Sequence, residues 1–435
     1  MNERDSERMS VFLSRRGYIL TPLESEADII IVNTCSVRDK AEAKALGKLR
    51  LMVASRAEKP DRIVGVAGCM VQRLGREMFR KVKGLDFAVG TGGLARLPDI
   101  LEAVKAGRRP VLDVGAEGGQ ADQDAHESGR VATYISILFG CNRRCAYCVV
   151  PHVRGAEWSR PAADIVDEAR RLVHGGVKEI TLLGQSIMSY GRANPVGTAG
   201  IHSSRGFTEP LAQLLEALQE IPGLERIRFT SGHPSGCTPE LIRAMAELPS
   251  VCEHLHLPLQ SGSDRILSRM SRGYVAGDYR DAVRRLRTAL PGVAITTDII
   301  VGFPSETLED VELTRAFIAE IGFDNAFIFK YNPRPDTPAA QWADDVPEEE
   351  KLRRNHLLLE EQNKYCLALN QALVGRKVEV LVEGPSRRNA ARWTGRTRTN
   401  KIVLMAAGPG LRRGDLVTVL IDDAKIQTLY GSLTQ

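Results

Sequence analysis

Two features that a membrane or secreted protein would carry are missing from this sequence of 435 residues. No stretch approaches about 18 consecutive apolar residues, the length that a membrane-spanning helix requires. Met1 is followed by the charged and polar residues 2–8 rather than by a basic patch and an apolar run, which is unlike a secretory signal. We therefore expect a cytoplasmic protein without a membrane partner.

Cysteine is also sparse. Eight cysteines in a chain of this length are too dilute for a small scaffold held together by disulfides. A chain without export signals is expected in a reducing compartment, where clustered cysteines more often bind a metal or take part in redox chemistry.

Aromatic residues make up only 5% of the sequence, whereas 43% of residues are apolar and 26% are charged. This composition is typical of a globular protein with roughly two or three domains. The net charge of +5 is unevenly distributed, because residues 367–435 hold eleven Lys or Arg and five Asp or Glu. The basic surplus therefore lies at the carboxyl end.

The residues before the last basic segment show the alternation of strands and helices that is typical of α/β proteins. In residues 1–110, apolar runs at 28–33, 62–67 and 87–90 are separated by amphipathic patterns, which predicts a small parallel α/β domain. Residues 111–130 have no apolar period and are interpreted as a linker.

Residues 131–345 repeat the strand-then-helix pattern six times. The strands are predicted at 133–139, 179–183, 226–230, 254–259, 294–301 and 326–331. Six such units without a dinucleotide-binding glycine fingerprint predict a partial (β/α)6 barrel, with its chemistry at the carboxyl ends of the strands. Residues 346–373 are predicted to form a connecting helix, and residues 374–435, with short strands and no helical period, a small β-barrel.

The strongest functional pattern is the C-x3-C-x2-C spacing of Cys141, Cys145 and Cys148, directly after the first barrel strand. Three thiolates on one loop can hold three irons of a 4Fe-4S cluster and leave the fourth iron open for a substrate or cofactor. A structural zinc site is the alternative, but zinc usually takes four ligands and no second cysteine pair lies near. A chance grouping is the remaining alternative.

With Tyr147 in its aromatic position, this loop resembles the signature of the radical S-adenosylmethionine (SAM) superfamily. The resemblance implies that the open iron binds SAM and that reduction splits it into methionine and a 5′-deoxyadenosyl radical. It also makes Tyr147 a cofactor-binding residue, and it places Gly184 and Gln185 near the amino group of SAM and Asp298 and Gly302 near its adenosine. Without the resemblance, a glycine after a strand most often only forms a turn.

Cys35 and Cys69 form a second pattern, because each directly follows an apolar strand of the predicted first domain. Both thiols would emerge at the carboxyl edge of one parallel sheet, where open α/β sheets bind ligands. This placement favours a shared metal site; two buried structural cysteines are the alternative.

Further motifs resemble the methylthiotransferase family of radical SAM enzymes over nearly the whole chain. These motifs are NTCSVR (33–38), GCMVQ (68–72), CVVPHVRG (148–155), LLGQ (182–185), HLPLQSGS (256–263), DIIVGFP (298–304) and NPRP (332–335). Within the family they are most similar to the branch that acts on N6-isopentenyladenosine beside the tRNA anticodon. The carboxyl-terminal barrel resembles a TRAM domain, an RNA-binding module.

The resemblance implies two 4Fe-4S clusters, one at Cys141, Cys145 and Cys148 and an auxiliary one at Cys35 and Cys69 that carries the inserted sulfur. It implies a tRNA anticodon stem-loop as substrate and flavodoxin or ferredoxin as electron donor, and we expect a monomer. His152, Arg154 and Arg334 are further candidates for contact with substrate or SAM.

In one respect the chain departs from the family. The family binds its auxiliary cluster with three cysteines, the earliest in a GCQMN segment, and this chain begins within what resembles the end of that segment. We expect a truncated start and an auxiliary cluster with an incomplete ligand set. Cys237 is a possible substitute ligand, whereas Cys252 and Cys366 are interpreted as packing residues.

Three alternative functions remain. Two are other methylthiotransferases, one acting on a ribosomal-protein aspartate and one on threonylcarbamoyladenosine in tRNA. The third is a non-catalytic iron–sulfur or zinc protein that binds RNA through the basic residues of the carboxyl-terminal segment. These are Arg387, Arg388, Arg392, Arg396, Arg398, Lys401, Arg412 and Arg413, together with Trp393.

Overall fold

The computed structural model describes residues 1–36, 39–115, 125–194, 203–389, 391–408 and 410–434. The described chain contains a parallel sheet with flanking helices, a partial (β/α) barrel, a long connecting helix and a small closed β-barrel. The predicted α/β fold class with a small carboxyl-terminal β-barrel is confirmed.

The first unit is a four-stranded parallel sheet. Its elements are α1 (Asn2–Ser14), β1 (Ile29–Thr34), α2 (Asp39–Ala54), β2 (Ile63–Gly68), α3 (Cys69–Leu74), α4 (Glu77–Lys81), β3 (Phe87–Val89), α5 (Leu97–Lys105) and β4 (Val111–Asp113). The strand order is β1-β2-β3-β4. The central strand β2 is buried along its whole length, as expected for a parallel sheet covered on both faces.

Strand β4 corrects the interpretation of residues 111–130 as a linker. Its three residues pair in parallel with β3, and they lie inside the predicted linker. A strand this short between Pro110 and Gly115 has no detectable period, so only the pairing with β3 reveals it. Residues 116–124 of the predicted linker lie outside the described residues.

The partial barrel follows. Its elements are β5 (Ala132–Ser136), β6 (Leu138–Phe139), α6 (Val150–Arg154), β7 (Trp158–Ser159), α7 (Ala162–His174), β8 (Glu179–Leu183), α8 (Pro210–Gln219), β9 (Arg226–Phe229), α9 (Pro239–Glu247), β10 (His254–His256), α10 (Asp264–Arg269), α11 (Ala276–Ala289), β11 (Ala294–Val301), α12 (Leu308–Ile321) and β12 (Asn325–Lys330). Parallel sheets β5-β8-β9 and β10-β11-β12 are joined by a bridge between Ile227 and Val251. Their inward and helix-facing side chains form the largest apolar core.

Two predicted barrel strands are shorter or divided. The strand predicted at 133–139 divides at Ile137 into β5 and β6, and β6 pairs with β7 instead of the barrel strands. The strand predicted at 254–259 ends at His256, because Pro258 has no N–H to donate and Leu259 donates its N–H to the Thr297 side chain.

The chain ends with α13 (Glu348–Gln371) and five strands that close into a barrel. These are β13 (Lys377–Pro385), β14 (Arg392–Thr397), β15 (Ile402–Ala406), β16 (Leu416–Ala424) and β17 (Leu429–Leu433). Among the described residues, no helix has both the length and the apolar character needed to cross a membrane.

Candidate active site

The loop that contains the three clustered cysteines lies between β6 and α6 and is held at several points. Gly140 begins it at a φ of 69°, where a Cβ would overlap the carbonyl oxygen of Ala156. The amide of Ala146 donates to the Met270 carbonyl at 2.9 Å. Cys141 and Cys145 are buried, and Cys148 is half-buried. The three thiols therefore lie on one constrained loop at the carboxyl end of the barrel.

Arginine side chains supply positive charge around this loop. The Nη1 of Arg272 donates to the Cys145 Sγ at 3.2 Å, and its Nη2 donates to the Pro258 carbonyl at 3.3 Å. Arg143 donates its backbone N–H to the Cys141 Sγ at 3.4 Å, and its guanidinium contacts Ser186 and Ser235. Such donors stabilise thiolates and an anionic group bound to them.

The thiols themselves are poorly solvated. Burial raises the pKa of Cys141, and it raises the pKa of Cys148 to about 12. In the described part of the chain, no three histidine, cysteine or carboxylate side chains converge closely enough to hold a single metal ion. A zinc ion needs such convergence, whereas each iron of a 4Fe-4S cluster takes its own thiolate. The three cysteines and their arginine donors fit the cluster.

Tyr147 packs beside the cysteines. Its ring meets Phe303 edge to face at 6.3 Å, and Phe303 packs in turn against Tyr331 and Trp342. Burial raises the pKa of Tyr147 well above its usual value, so the phenol stays protonated. The aromatic residue of the motif therefore links the cysteine loop to the apolar core below it.

A cavity of about 1040 Å³ extends from the cysteine loop to the carboxyl-terminal barrel. Cys148 and Tyr147 line one part, and Arg396 and Lys401 line another. Asp298 also lines it, and its Oδ2 lies 3.3 Å from the Nε2 of His256. Of the five predicted SAM contacts, the structure thus places Tyr147 and Asp298 in the cavity wall.

The other three predicted SAM contacts do not line this cavity. Gly184 lies close to β6, since a Cβ there would be 3.1 Å from the Cβ of Leu138, and the Oε1 of Gln185 is buried without a hydrogen-bond partner among the described residues. Gly302 donates its N–H to Glu306 at 2.6 Å, and a Cβ would overlap Lys351 of α13. Packing against α13 thus accounts for glycine at position 302.

Cys35 and Cys69 lie where the sheet pattern predicted. Thr34 and Gly68 are register partners at the ends of β1 and β2, and the two cysteines follow them directly. Gly68 has a φ of 102°, and a Cβ would overlap the Thr34 carbonyl oxygen. Burial raises the pKa of Cys69, and the neighbouring Cys35 raises it further. The two thiols therefore share one edge of the sheet.

Helix α6 connects this edge to the cysteine loop. Val149 and Val153 pack against Cys69, although they follow Cys148 in the barrel unit. Arg154 pairs with the buried Asp5 of α1 at 2.6 Å, and its charge together with a side-chain hydrogen bond opposes the rise that burial causes in the pKa of Cys69. The two cysteine sites are thus joined by a single short helix.

The further candidates are distributed around this junction. Arg334 lines the cavity and is only 6% exposed, and the neighbouring Cys35 acts to raise its pKa against the lowering effect of burial. His152 lies on the exposed side of α6. Cys237 packs in the apolar core of the barrel, and Cys366 donates to the Ile426 carbonyl at 2.7 Å.

The basic residues of the carboxyl-terminal barrel divide into two groups. Arg396 pairs with Glu383, Arg398 with Glu253 and Lys401 with Asp324, so these three are engaged in internal ion pairs. The exposed group consists of Arg387, Arg388, Arg392, Arg412 and Arg413. The prediction that all eight form one binding surface is therefore corrected, since Arg398 and Lys401 bind this barrel to the partial barrel.

Sequence patterns had given no role to two residues of the site, although Arg272 begins an RGY motif (272–274) that also resembles the methylthiotransferase family. Arg272 lies between Ser271 and Gly273, both with positive φ, and this turn directs its guanidinium to Cys145. Phe327 lies on β12 and lines the cavity. Its position in a strand is predictable, but the cavity it faces depends on how the barrel closes.

Comparisons with known proteins extend this description. The model of the radical SAM superfamily matches residues 135–318, the model described as uncharacterized protein family UPF0004 matches residues 1–90, and the TRAM domain model matches residues 371–434. The radical SAM match contains the cysteine loop and the part of the cavity wall that lies next to it. The predicted radical SAM and TRAM resemblances are confirmed.

Relatives similar over the full length are also found. The chain is 44% identical to the tRNA-2-methylthio-N(6)-dimethylallyladenosine synthase of Akkermansia muciniphila, over 99% of this chain and 96% of that protein. It is 43% identical to the protein of the same name from Moorella thermoacetica, over 100% of this chain and 96% of that protein.

A solved structure shares the fold. The radical S-adenosylmethionine methyltransferase TsrM from Kitasatospora setae superposes with a TM-score of 0.58 and 16% identity, over 78% of this chain and 72% of that chain. The fold, the cysteine loop and the identity over the full length agree. The chain therefore belongs to the tRNA-2-methylthio-N(6)-dimethylallyladenosine synthase family of radical SAM enzymes.

Proposed function

We propose that this protein is a tRNA methylthiotransferase that converts N6-isopentenyladenosine next to the anticodon into its 2-methylthio derivative. The observation that carries this proposal is the 44% identity, over 99% of the chain, with a curated synthase of that modification. Methylthiotransferases acting on a ribosomal-protein aspartate or on threonylcarbamoyladenosine are not favoured by these relatives, and neither is a non-catalytic RNA-binding protein.

The cysteine loop is the catalytic centre in this proposal. Cys141, Cys145 and Cys148 would hold a 4Fe-4S cluster, and Arg272 would donate to the ligand Cys145. When bound, the cluster and SAM supply the radical that attacks an unreactive C–H bond. The chain supplies the ligand loop, the buried positive charge and a cavity that partly shields the reacting atoms from water.

A second 4Fe-4S cluster belongs to the sheet edge of Cys35 and Cys69. Support comes from the register of β1 and β2, which brings the two residues after Thr34 and Gly68 to one edge. Helix α6 connects this edge to the cysteine loop through Val149, Val153 and Arg154. That connection would hold the site of sulfur transfer at a constant separation from the site of radical formation.

The remaining site assignments follow the cavity. Tyr147 and Asp298 are proposed to contact SAM from the cavity wall, and Gly184, Gln185 and Gly302 stay proposals on their motif positions. Residues 1–110, 131–345 and 374–435 are proposed as the three functional domains, with a TRAM domain that binds the tRNA anticodon stem-loop. Flavodoxin or ferredoxin is the proposed electron donor, and the protein is proposed to act as a cytoplasmic monomer.

Nucleoside mass spectrometry of bulk tRNA tests the proposal. Cells that lack the gene should lose 2-methylthio-isopentenyladenosine and accumulate isopentenyladenosine. Expression of the protein should restore the modification, and Cys145→Ala should not. Cys252→Ala is the matched control, because Cys252 is buried like Cys145 but lies two residues before β10, outside the cysteine loop.

Two outcomes contradict the proposal. Unchanged tRNA in the deletion strain would show that tRNA is not the substrate. Loss of a methylthio group from a ribosomal protein in that strain would show that the ribosomal protein is the substrate instead. Restoration by Cys145→Ala would show that the cysteine loop is not the catalytic centre.

A further inference from the structure

Phe327 is exposed where an aromatic side chain is not expected. It is 47% exposed, more than any other phenylalanine, tyrosine or tryptophan among the described residues. Its neighbours on β12, Ala326 and Ile328, are buried. Phe327 lines the cavity that begins at the cysteine loop, so a ligand that enters the cavity can reach the ring.

The ring is positioned by the strand beside it. Phe327 is the register partner of Asp298 on β11. The ring of His256 meets the ring of Phe327 at 6.1 Å and 65°, and His256 is held in turn by Thr296 at 2.9 Å. These contacts fix one edge of Phe327 and leave ring area accessible from the cavity.

Three residues of the cavity wall also carry a buried polar atom without a partner. Within the described residues, the Oε1 of Gln260, the Nδ1 of His254 and the hydroxyl of Tyr331 have no hydrogen-bond partner. These residues are 7%, 5% and 3% exposed. Buried polar groups are nearly always hydrogen-bonded, so these side chains hold hydrogen-bonding capacity in the cavity wall that no described protein group uses.

An accessible aromatic face beside polar atoms is the combination that proteins use to bind a nucleobase. The base stacks on the ring and its edge forms hydrogen bonds, and enzymes that modify a base take it out of its stack into such a pocket. Both SAM and tRNA contain an adenine. The cavity continues from Phe327 to Thr399 and Asn400 of the carboxyl-terminal barrel, the domain proposed to bind tRNA, which favours the RNA.

We propose that Phe327 is the stacking platform for the tRNA nucleobase that enters the cavity to be modified. This inference rests on the proposed function and names the residue that positions its substrate. It requires that loss of the aromatic ring weakens RNA binding while SAM binding is unchanged.

The test compares three substitutions at one position. The probe is an anticodon stem-loop RNA that contains isopentenyladenosine, and its affinity is measured by fluorescence anisotropy of the iron-loaded protein. Phe327→Ala and Phe327→Leu should both weaken binding roughly 5- to 150-fold, the range that corresponds to one lost base–aromatic stack. Phe327→Tyr should bind within about twofold of the wild type, because it keeps the ring.

Leu313→Ala is the matched control, because Leu313 is 48% exposed on α12 and does not line the cavity. It should leave the RNA affinity unchanged. Phe327→Leu keeps apolar volume without an aromatic face. If its thermal unfolding curve matches that of the wild type, weaker RNA binding by this variant reflects lost stacking and not lost folding. KM for the RNA should rise with the dissociation constant, and SAM affinity should stay constant.

Wild-type RNA affinity in both Phe327→Ala and Phe327→Leu would overturn the inference. Weakened SAM binding with unchanged RNA binding would also overturn it, by assigning the stacked adenine to the cofactor. Failure of the proposed function is distinguishable, because the wild-type protein itself would then not methylthiolate the RNA.

Discussion

Arg228 connects the partial barrel to the carboxyl-terminal barrel, and its replacement by methionine should loosen that connection. The side chain is 4% exposed on β9. Its Nη1 and Nη2 donate to the carbonyls of Arg398 and Thr397 at 2.6 and 2.8 Å, and its Nε donates to Glu179 at 2.9 Å. One guanidinium therefore satisfies acceptors in two domains.

The expected cost follows from what the substitution leaves behind. Methionine keeps most of the apolar volume, but Glu179, with 6% of its side chain exposed, loses its nearest cation. Removing one partner of a buried ion pair costs about 3–5 kcal/mol, mainly because the other charge stays buried. Adding Glu179→Gln should recover part of this loss, since the double variant no longer buries a carboxylate whose remaining cation, Arg226, lies 3.9 Å away.

Urea unfolding followed by circular dichroism measures this cost, and limited proteolysis between α13 and β13 reports separation of the domains. Arg280→Met is the control, because the Arg280–Glu320 pair is half-exposed on both sides and should contribute less than about 1 kcal/mol. The reasoning is wrong if Arg228→Met costs no more than the control, or if Glu179→Gln adds to the loss instead of reducing it.

Three further predictions concern charge. Burial acts to lower the pKa of His126, but hydrogen bonds to two buried carboxylates outweigh that effect, and the pKa of His126 is raised in the folded protein. Protonated His126 therefore stabilises the fold fully below the unfolded pKa of about 6.5, and this stabilisation is lost as the pH rises through the folded pKa. His126→Gln should therefore destabilise the protein more at pH 6 than at pH 9 in urea unfolding. Arg272→Gln should make reduction of the bound cluster about tenfold less favourable, near 59 mV for one electron, in a potentiometric titration read by electron paramagnetic resonance. Arg412→Glu with Arg413→Glu should weaken tRNA binding and reduce its salt dependence, while SAM cleavage is unchanged.

Each of these predictions has a contrary result. An equal cost of His126→Gln at both pH values would mean that His126 is neutral in the folded protein. An unchanged midpoint potential in Arg272→Gln, with Arg272→Lys as the intermediate control, would limit Arg272 to a packing role. Unaltered tRNA affinity in the double arginine variant would assign RNA contact to another surface.

Local patterns were enough for much of the fold. The predicted strands at 179–183 and 294–301 coincide with β8 and β11, because short segments rich in β-branched and other apolar residues favour strands. The prediction that Cys35 and Cys69 follow neighbouring strands succeeded for the same reason, since parallel strands end at one edge.

Other features could not be predicted because their causes lie far apart in sequence. Arg398 and Lys401 belong to a basic segment that suggests an RNA surface, yet each pairs with a carboxylate of the partial barrel. The role of Arg272 depends on a thiol 127 positions away. Composition and charge describe such residues correctly, but their partners are specified only by the folded chain.

The sequence by itself determined the alternation of strands and helices, the three cysteines on one loop and the family to which those motifs belong, since each of these is local in the chain. Only the tertiary structure decided which basic residues remain exposed, which arginine donates to the cysteine loop and which aromatic ring faces the cavity. Those properties depend on contacts between segments that lie far apart in the chain, and the closure of the barrel and the packing of its neighbours create those contacts.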